Sequence, residues 1–226
     1  MSIPPLPPPL PPRVPPTGVP PQLATAFHIT DVTNLPAILQ AGGLMSDAGM
    51  AARPGATIIG YDHIKLRRLQ QIQVDCLAGK PFVGEFVPFY YSPRSVMLYT
   101  INRGNTGRPV GCQTSIIHLV STVPVLAGLG REWAIADGNA GAFHTAFYNQ
   151  MAGLQNLNWA AIRATSWSGQ QHQKAAEFLV KDFVPWSAFH LIGCHNAATA
   201  AQVQHMLAVA RSAHSPNVEE RPLWYY

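Results

Sequence analysis

Residues 172 to 183 read HQKAAEFLVKDF, and Glu177 stands directly before Phe178, Leu179 and Val180, where a chain entering a core carries apolar side chains. An ionised carboxylate at the head of a burying strand costs several kcal/mol unless a cation or hydrogen-bond donors meet it. Glu177 therefore requires a partner, which either the chain or a substrate can supply. Other polar residues sit in similarly structured surroundings: His28 and Thr30 in AFHIT, Arg67 in YDHIKLRRL, and Phe89, Tyr90, Tyr91 and Arg94 in EFVPFYYSPRSVML. Each also has an ordinary explanation. A histidine on a strand can be half-buried and satisfied, Arg67 and Arg68 can solvate a helix, and three adjacent aromatic residues can pack a core.

Several chemistries lack their signatures. GLGREW at 128 to 133 is the one glycine-spaced candidate, and it lacks the third glycine and a helix opening after a strand, so no Rossmann unit is expected. There is no Walker sequence and no GxSxG. Cys76, Cys112 and Cys194 are far apart without CxxC spacing, and the nine histidines are scattered, so no metal site is implied. Three isolated cysteines suit reduced thiols, and the expected location is the cytoplasm.

The elements that must position these residues follow from the apolar pattern. Eleven of the twenty-one prolines fall in residues 1–22, which reads as an extended tail, with a single domain over 23–226. Proline also interrupts that start too often for a secretory signal, and no apolar stretch is long enough to span a membrane. Strands are expected at 26–30, 86–91, 96–101, 115–123, 133–136, 178–183 and 192–195. Helices are expected at 34–41, ending on Gly42-Gly43, at 139–151, 159–165 and 197–212, with a helix or helical loop over 57–73. Strands outnumber the crossover helices of a doubly wound sheet, so the class is α+β with a mixed or largely antiparallel sheet.

Net charge is +4, but Arg53 to Arg108 carries eight cations against three carboxylates. Eleven of the fifteen cations are arginine, whose planar fork suits phosphates, bases and stacking. A polyanionic partner and an ordinary solvated face both fit this asymmetry.

Taken in order, these segments resemble the DarT family of DNA ADP-ribosyltransferase toxins. FHITDVTNLPAILQAGGLMSD, IIGYDHIKLRR, EFVPFYYSPRSVMLY, SIIHLVST and KAAEFLVKDFVPW each resemble a family motif, with a weaker echo in the terminal LWYY. The resemblance implies a split-sheet ADP-ribosyltransferase fold that holds NAD as co-substrate in a cleft without a Rossmann unit. It implies that His28, Ile29 and Thr30 hold the ribose and nicotinamide side, that Ala37 and Met45 line the pocket, and that the stretch from Met50 to Leu69 covers it. Arg67 would reach the phosphates or the reacting centre, and Glu177 would be catalytic beside it. The segment from Asp137 to Glu177 would face the substrate, with Phe89, Tyr90, Tyr91 and Arg94 toward DNA.

The implied reaction moves ADP-ribose to a base of single-stranded DNA, thymine favoured and guanine the other candidate. A macrodomain antitoxin of the DarG type is the implied partner, and a monomer is expected. Two alternatives stay open: a transferase acting on RNA or protein, and a non-catalytic nucleic-acid-binding module. Ala136-Asp137-Gly138-Asn139 departs from the family pattern, which leaves base preference open.

Overall fold

The computed structural model describes residues 24–51 and 62–226; the proline-rich start and the part of the expected 57–73 helix before Asp62 lie outside the described residues. In chain order the elements are β1 (Thr25–Asp31), α1 (Leu35–Ala41), β2 (Gly43–Met45), α2 (Asp47–Met50), α3 (Asp62–Gln70), β3 (Phe86–Tyr90) and α4 (Val96–Asn102). Next come β4 (Ile116–Thr122), α5 (Val123–Ala127), β5 (Trp133–Ala136), β6 (Phe147–Tyr148), α6 (Trp159–Arg163) and α7 (Gln171–Lys174). The chain closes with β7 (Glu177–Lys181), β8 (Phe183–Pro185), β9 (Leu191–Cys194), α8 (Ala197–Ala210) and β10 (Asn217–Glu220).

Eight strands form a sheet in the order β10-β9-β4-β1-β3-β7-β5-β6, and β2 and β8 form a separate pair. All neighbours are antiparallel except β10 and β9. β1 pairs with β4 along its whole length, from Thr25↔Thr122 to Asp31↔Ile116, yet meets β3 at one registered position, Phe27↔Tyr90. The sheet nearly parts at this seam into two halves, which is the split expected from the resemblance. One crossover joins parallel neighbours, β9-α8-β10 at the edge of the sheet, and no succession of such units, the mark of a Rossmann fold, occurs among the described residues.

Alternation along β3 divides the cores. Val87, Phe89 and Tyr91 enter the main cluster with Phe178, Val180 and Ile135, whereas Phe86 joins Leu179, Ala134 and Ala136 on the opposite face. Tyr90 packs with Ile29, Leu98 and Ile101 in a third cluster.

Two expected elements take another form. Residues 96–101 are a helix, not a strand, because the Ser95 hydroxyl accepts from the Leu98 amide at 3.2 Å and Leu98 and Ile101 bury one helical face. Residues 139–151 are a turn-rich loop carrying β6, not a helix. Asp137 and Asn139 side chains take the amides of Ala146 at 2.9 Å and Gly141 at 2.9 Å, offering the backbone partners that compete with helix bonds.

His118, in the middle of β4, is wholly buried, and its Nε2–H donates to the Pro93 carbonyl at 2.9 Å. Burial pushes its pKa down to about 4, with the Pro93 carbonyl opposing. The imidazole is neutral in the fold and charges readily once the chain unfolds, near its ordinary 6.5. Its contribution is complete above pH 6.5 and is lost as pH falls toward 4, a loss of about 3 kcal/mol. Urea midpoints measured across that window should fall steeply for the wild-type chain and less steeply for His118→Gln; equal slopes would remove His118 from the account.

Candidate active site

Glu177 opens β7 opposite Tyr90 of β3 and Ala136 of β5, and only 2 % of it is exposed. The partner its burial demands is Arg68 of α3. Arg68 Nη1 donates to Oε1 at 3.2 Å and to Oε2 at 3.0 Å, and the Ala140 amide donates to Oε1 at 3.0 Å. Oε2 carries the Arg68 contact alone, so it keeps lone pairs for a further donor. On Arg68, Nη2 is buried and unpartnered. Burial by itself would lower the Arg68 pKa, but the charges of Glu177, Tyr90 and Asp47 hold it above its ordinary value.

Arg67, the arginine expected beside Glu177, lies one residue earlier on α3, and successive helical residues turn by about 100°. It is half-buried, its Nε is without a hydrogen-bond partner, and it makes no ion pair with Glu177. The helix is set by Leu69, which packs so closely on Gly84 that a Cβ there would come within 2.6 Å of it. That contact turns Arg68 inward and leaves Leu66 56 % exposed. The cover expected from Met50 to Leu69 is described only at its two ends.

The loop that supplies the Ala140 amide is held against the segment before β7. The Asn139 amide donates to the His172 carbonyl at 3.0 Å, and the His172 ring lies over Gly138, where a Cβ would meet Nε2 at 2.1 Å. His172 also packs on His144 with ring centres 4.1 Å apart. Burial lowers its pKa, as does His144, against the pull of Asp137. No group of three or more His, Cys, Asp or Glu residues that could hold a metal occurs among the described residues.

His28 lies at the seam of the sheet, where its Nδ1–H donates to the Pro88 carbonyl at 2.9 Å. Burial lowers its pKa, with Pro88 and Asp47 opposing, so the neutral ring presents Nε2 as a lone pair. Asp47 acts on both His28 and Arg68, which links the β1 side of the seam to the Glu177 side. Thr30 is buried and its hydroxyl accepts from Asn34 Nδ2 at 3.1 Å. Ile29 points the other way, into the cluster with Leu98 and Ile116. Met45 ends β2 opposite Phe183, and Ala37 is exposed in a groove shared with His205 and Met206 of α8.

Of the residues expected to face DNA, Phe89 is corrected: it is fully buried and stacks on Phe189 at 6.2 Å, because strand alternation turns it into the main core. Tyr90 is half-buried beside Glu177, and burial together with that carboxylate raises its pKa despite Arg68. Tyr91 sits edge-on to Trp159 at 5.3 Å with its hydroxyl buried and unpartnered. The Arg94 guanidinium lies 4.5 Å over the Tyr226 ring.

This constellation can be set beside known proteins. A family profile described as ssDNA thymidine ADP-ribosyltransferase, DarT, matches residues 27–226. The chain belongs to the DarT family. It is 37 % identical over 200 residues to a DNA ADP-ribosyl transferase of Thermus aquaticus, covering 88 % of each chain. Among solved DarT structures, that of Thermus sp. 2.9 in complex with ADP-ribosylated ssDNA superposes with a TM-score of 0.84 at 32 % identity, over 90 % of this chain and 96 % of that one. The Thermus sp. 2.9 DarT in complex with NAD+ gives 0.79 at 30 % identity, over 91 % and 99 %. The large, mostly antiparallel sheet with a near-break between β1 and β3 is thus the DarT fold, and Arg68 and Glu177 are a feature of this chain within it. Among the described residues, no helix is long and apolar enough to cross a membrane.

Proposed function

We propose that this chain is an NAD-dependent DNA ADP-ribosyltransferase that modifies a base in single-stranded DNA, thymine first. The observation that carries the reading is the buried Glu177–Arg68 pair at the seam of a DarT sheet, with one carboxylate oxygen still able to accept. Two atoms fit a dinucleotide in this cleft: Arg68 Nη2 and Arg67 Nε are buried donors without partners, as expected where an anionic ligand completes the hydrogen bonding.

NAD supplies the glycosidic bond to nicotinamide, whose cleavage leaves positive charge at the ribose anomeric carbon. Glu177 stabilises that charge by accepting from the neighbouring 2′-hydroxyl through Oε2. The interaction strengthens as charge builds, which is differential binding of the transition state. Arg68 and the Ala140 amide fix the carboxylate so that no reorganisation is needed at the moment of reaction. His28 and Thr30 line the other side of the seam and orient the ribose and nicotinamide end, while Arg67 is free to meet a phosphate.

The acceptor nitrogen of thymine, N3, is hidden in a duplex, which makes an unpaired base the substrate. Its proton must leave as the new bond forms, and Glu177 is positioned to accept it. A DarG-type macrodomain antitoxin, which would reverse the mark, is the partner this reading implies. Incubation of single-stranded oligonucleotides with NAD followed by mass spectrometry should show one added ADP-ribose, assigned by fragmentation to a thymine. Modification of RNA or protein with unmodified DNA would overturn the reading.

A further inference from the structure

The loop from Asp137 to Phe147 crosses the segment that leads into Glu177, and two consecutive amides tie them together: Asn139 donates to the His172 carbonyl at 3.0 Å and Ala140 to Glu177 Oε1 at 3.0 Å. The crossing is built around the His172 side chain. Its imidazole lies on Gly138, where a Cβ would come within 2.1 to 2.4 Å of three ring atoms. The backbone at Gly138 has no need of glycine, since its φ lies outside the left-handed region, so the missing Cβ serves to admit the ring. His144 packs on the same ring with centres 4.1 Å apart and planes inclined at 42°. One imidazole thus touches the loop twice, at Gly138 where it leaves β5 and at His144 where it returns to β6.

This contact depends on charge. Neutral imidazoles pack at that distance without penalty, whereas two imidazolium rings repel. The charges that act on His172 are His144 and Asp137, whose Oδ1 is 4.0 Å from Nε2. Asp137 suits one proton on the His172 ring and cannot offset a second on His144. Lys174, two residues on, is not among them, because its Nζ turns to the carbonyls of Ile162 at 2.6 Å and Ala164 at 2.9 Å. Burial and His144 hold the His172 pKa below its ordinary 6.5, with Asp137 opposing. The ring is therefore neutral above pH 6.5, where its packing is fully present, and that contribution is lost as pH falls below it.

We propose that His172 is a positioning residue for the transfer: with His144 it forms a latch that keeps the Ala140 amide on Glu177 while at most one of the two rings is charged, and that opens when both are, silencing the enzyme in mild acid. Once the latch is open, Oε1 keeps the Arg68 contact at 3.2 Å and loses the amide, so the carboxylate is no longer fixed ahead of the reaction. The loss falls on rate and not on NAD affinity, since Arg67 and the β1 side of the seam are untouched. This inference rests on the proposed role of Glu177.

The test has an exchange arm and a kinetic arm, each run on wild type, His144→Gln and His172→Phe, the last a ring that fills the space over Gly138 and takes no proton. Hydrogen exchange of the peptide containing Asn139 and Ala140, corrected for the intrinsic effect of pH, should quicken roughly tenfold in wild type from about pH 7.5 to about pH 5.5 and stay level in both variants. In the kinetic arm, log kcat on the acid side should fall more steeply with pH in wild type than in either variant, by about one to two in slope, the number of extra protons the open state binds. KM for NAD should be the same in all three. Wild-type pH dependence of exchange in both variants overturns the latch. Level exchange in the variants with an unaltered acid slope overturns its role in positioning Glu177. Latch behaviour in exchange, with no ADP-ribose transferred to any oligonucleotide at either pH, instead overturns the proposed function and leaves the latch standing.

Discussion

Glutamine in place of Glu177 is expected to lower ADP-ribose transfer by roughly 10³-fold, the upper range for losing one preorganised electrostatic group in a water-poor site. Glutamine keeps the shape and can still accept from the Ala140 amide. What it removes is the negative charge that a developing cation at the ribose would feel. The same change strands Arg68, because the residue is 8 % exposed and has no other anion within bonding distance among the described residues. An uncompensated buried charge costs about 3–5 kcal/mol, and glutamine, which can still accept one hydrogen bond, should sit at the lower end. The two losses separate in a thermal melt. Glu177→Gln should melt well below wild type, and the double substitution Glu177→Gln with Arg68→Met should recover much of that stability while regaining no activity. A Glu177→Gln chain that modifies oligonucleotides at the wild-type rate would end the catalytic assignment.

A carboxylate ahead of Phe178-Leu179-Val180 demands a partner on physical grounds alone. A buried strand cannot begin with an unpaired charge, so a partner had to exist, and it does. What the residues could not reveal was which guanidinium provides it. Arg67 and Arg68 are adjacent on a helix whose face is fixed by a contact that neighbouring residues cannot encode: Leu69 against the bare backbone of Gly84, fifteen positions later. A helix that buries arginine and exposes Leu66 inverts the pattern on which amphipathic reading depends.

Other elements divide along similar lines. β1 and β4 were legible because long apolar runs bounded by capping residues have one solution, and α1 because it ends on Gly42 in the left-handed region at φ 74°. The pairing of β2 with β8 was not legible, since three-residue strands far apart in sequence carry no periodicity. α4 was available: Ser95 three residues ahead of Leu98 is a capping signal, but β-branched Val96, Thr100 and Ile101 read as strand. Phe89 was available too, because alternation from a buried Val87 places it inward, whatever its neighbours Tyr90 and Tyr91 do.

Arg68→Met should then cut kcat by roughly 10²-fold, because Glu177 loses the donor that aims both its oxygens. Arg67→Met should act differently. Arg67 makes no contact with the carboxylate, and its unpartnered Nε is the group free to meet an anion, so its loss should raise KM for NAD roughly tenfold with a smaller change in kcat. Uniform binding and transition-state binding are thus divided between two consecutive residues of one helix. Lysine at 68 would not rescue the reaction, since a lysine that met Oε1 and Oε2 as Nη1 does would have no second nitrogen to turn into the cleft in place of Nη2. Kinetics of the three variants against NAD at saturating oligonucleotide decide the matter. If Arg67→Met loses kcat and Arg68→Met loses only NAD affinity, then the guanidinium at the reacting centre is Arg67, and the pair seen with Glu177 is a resting arrangement that the bound dinucleotide displaces.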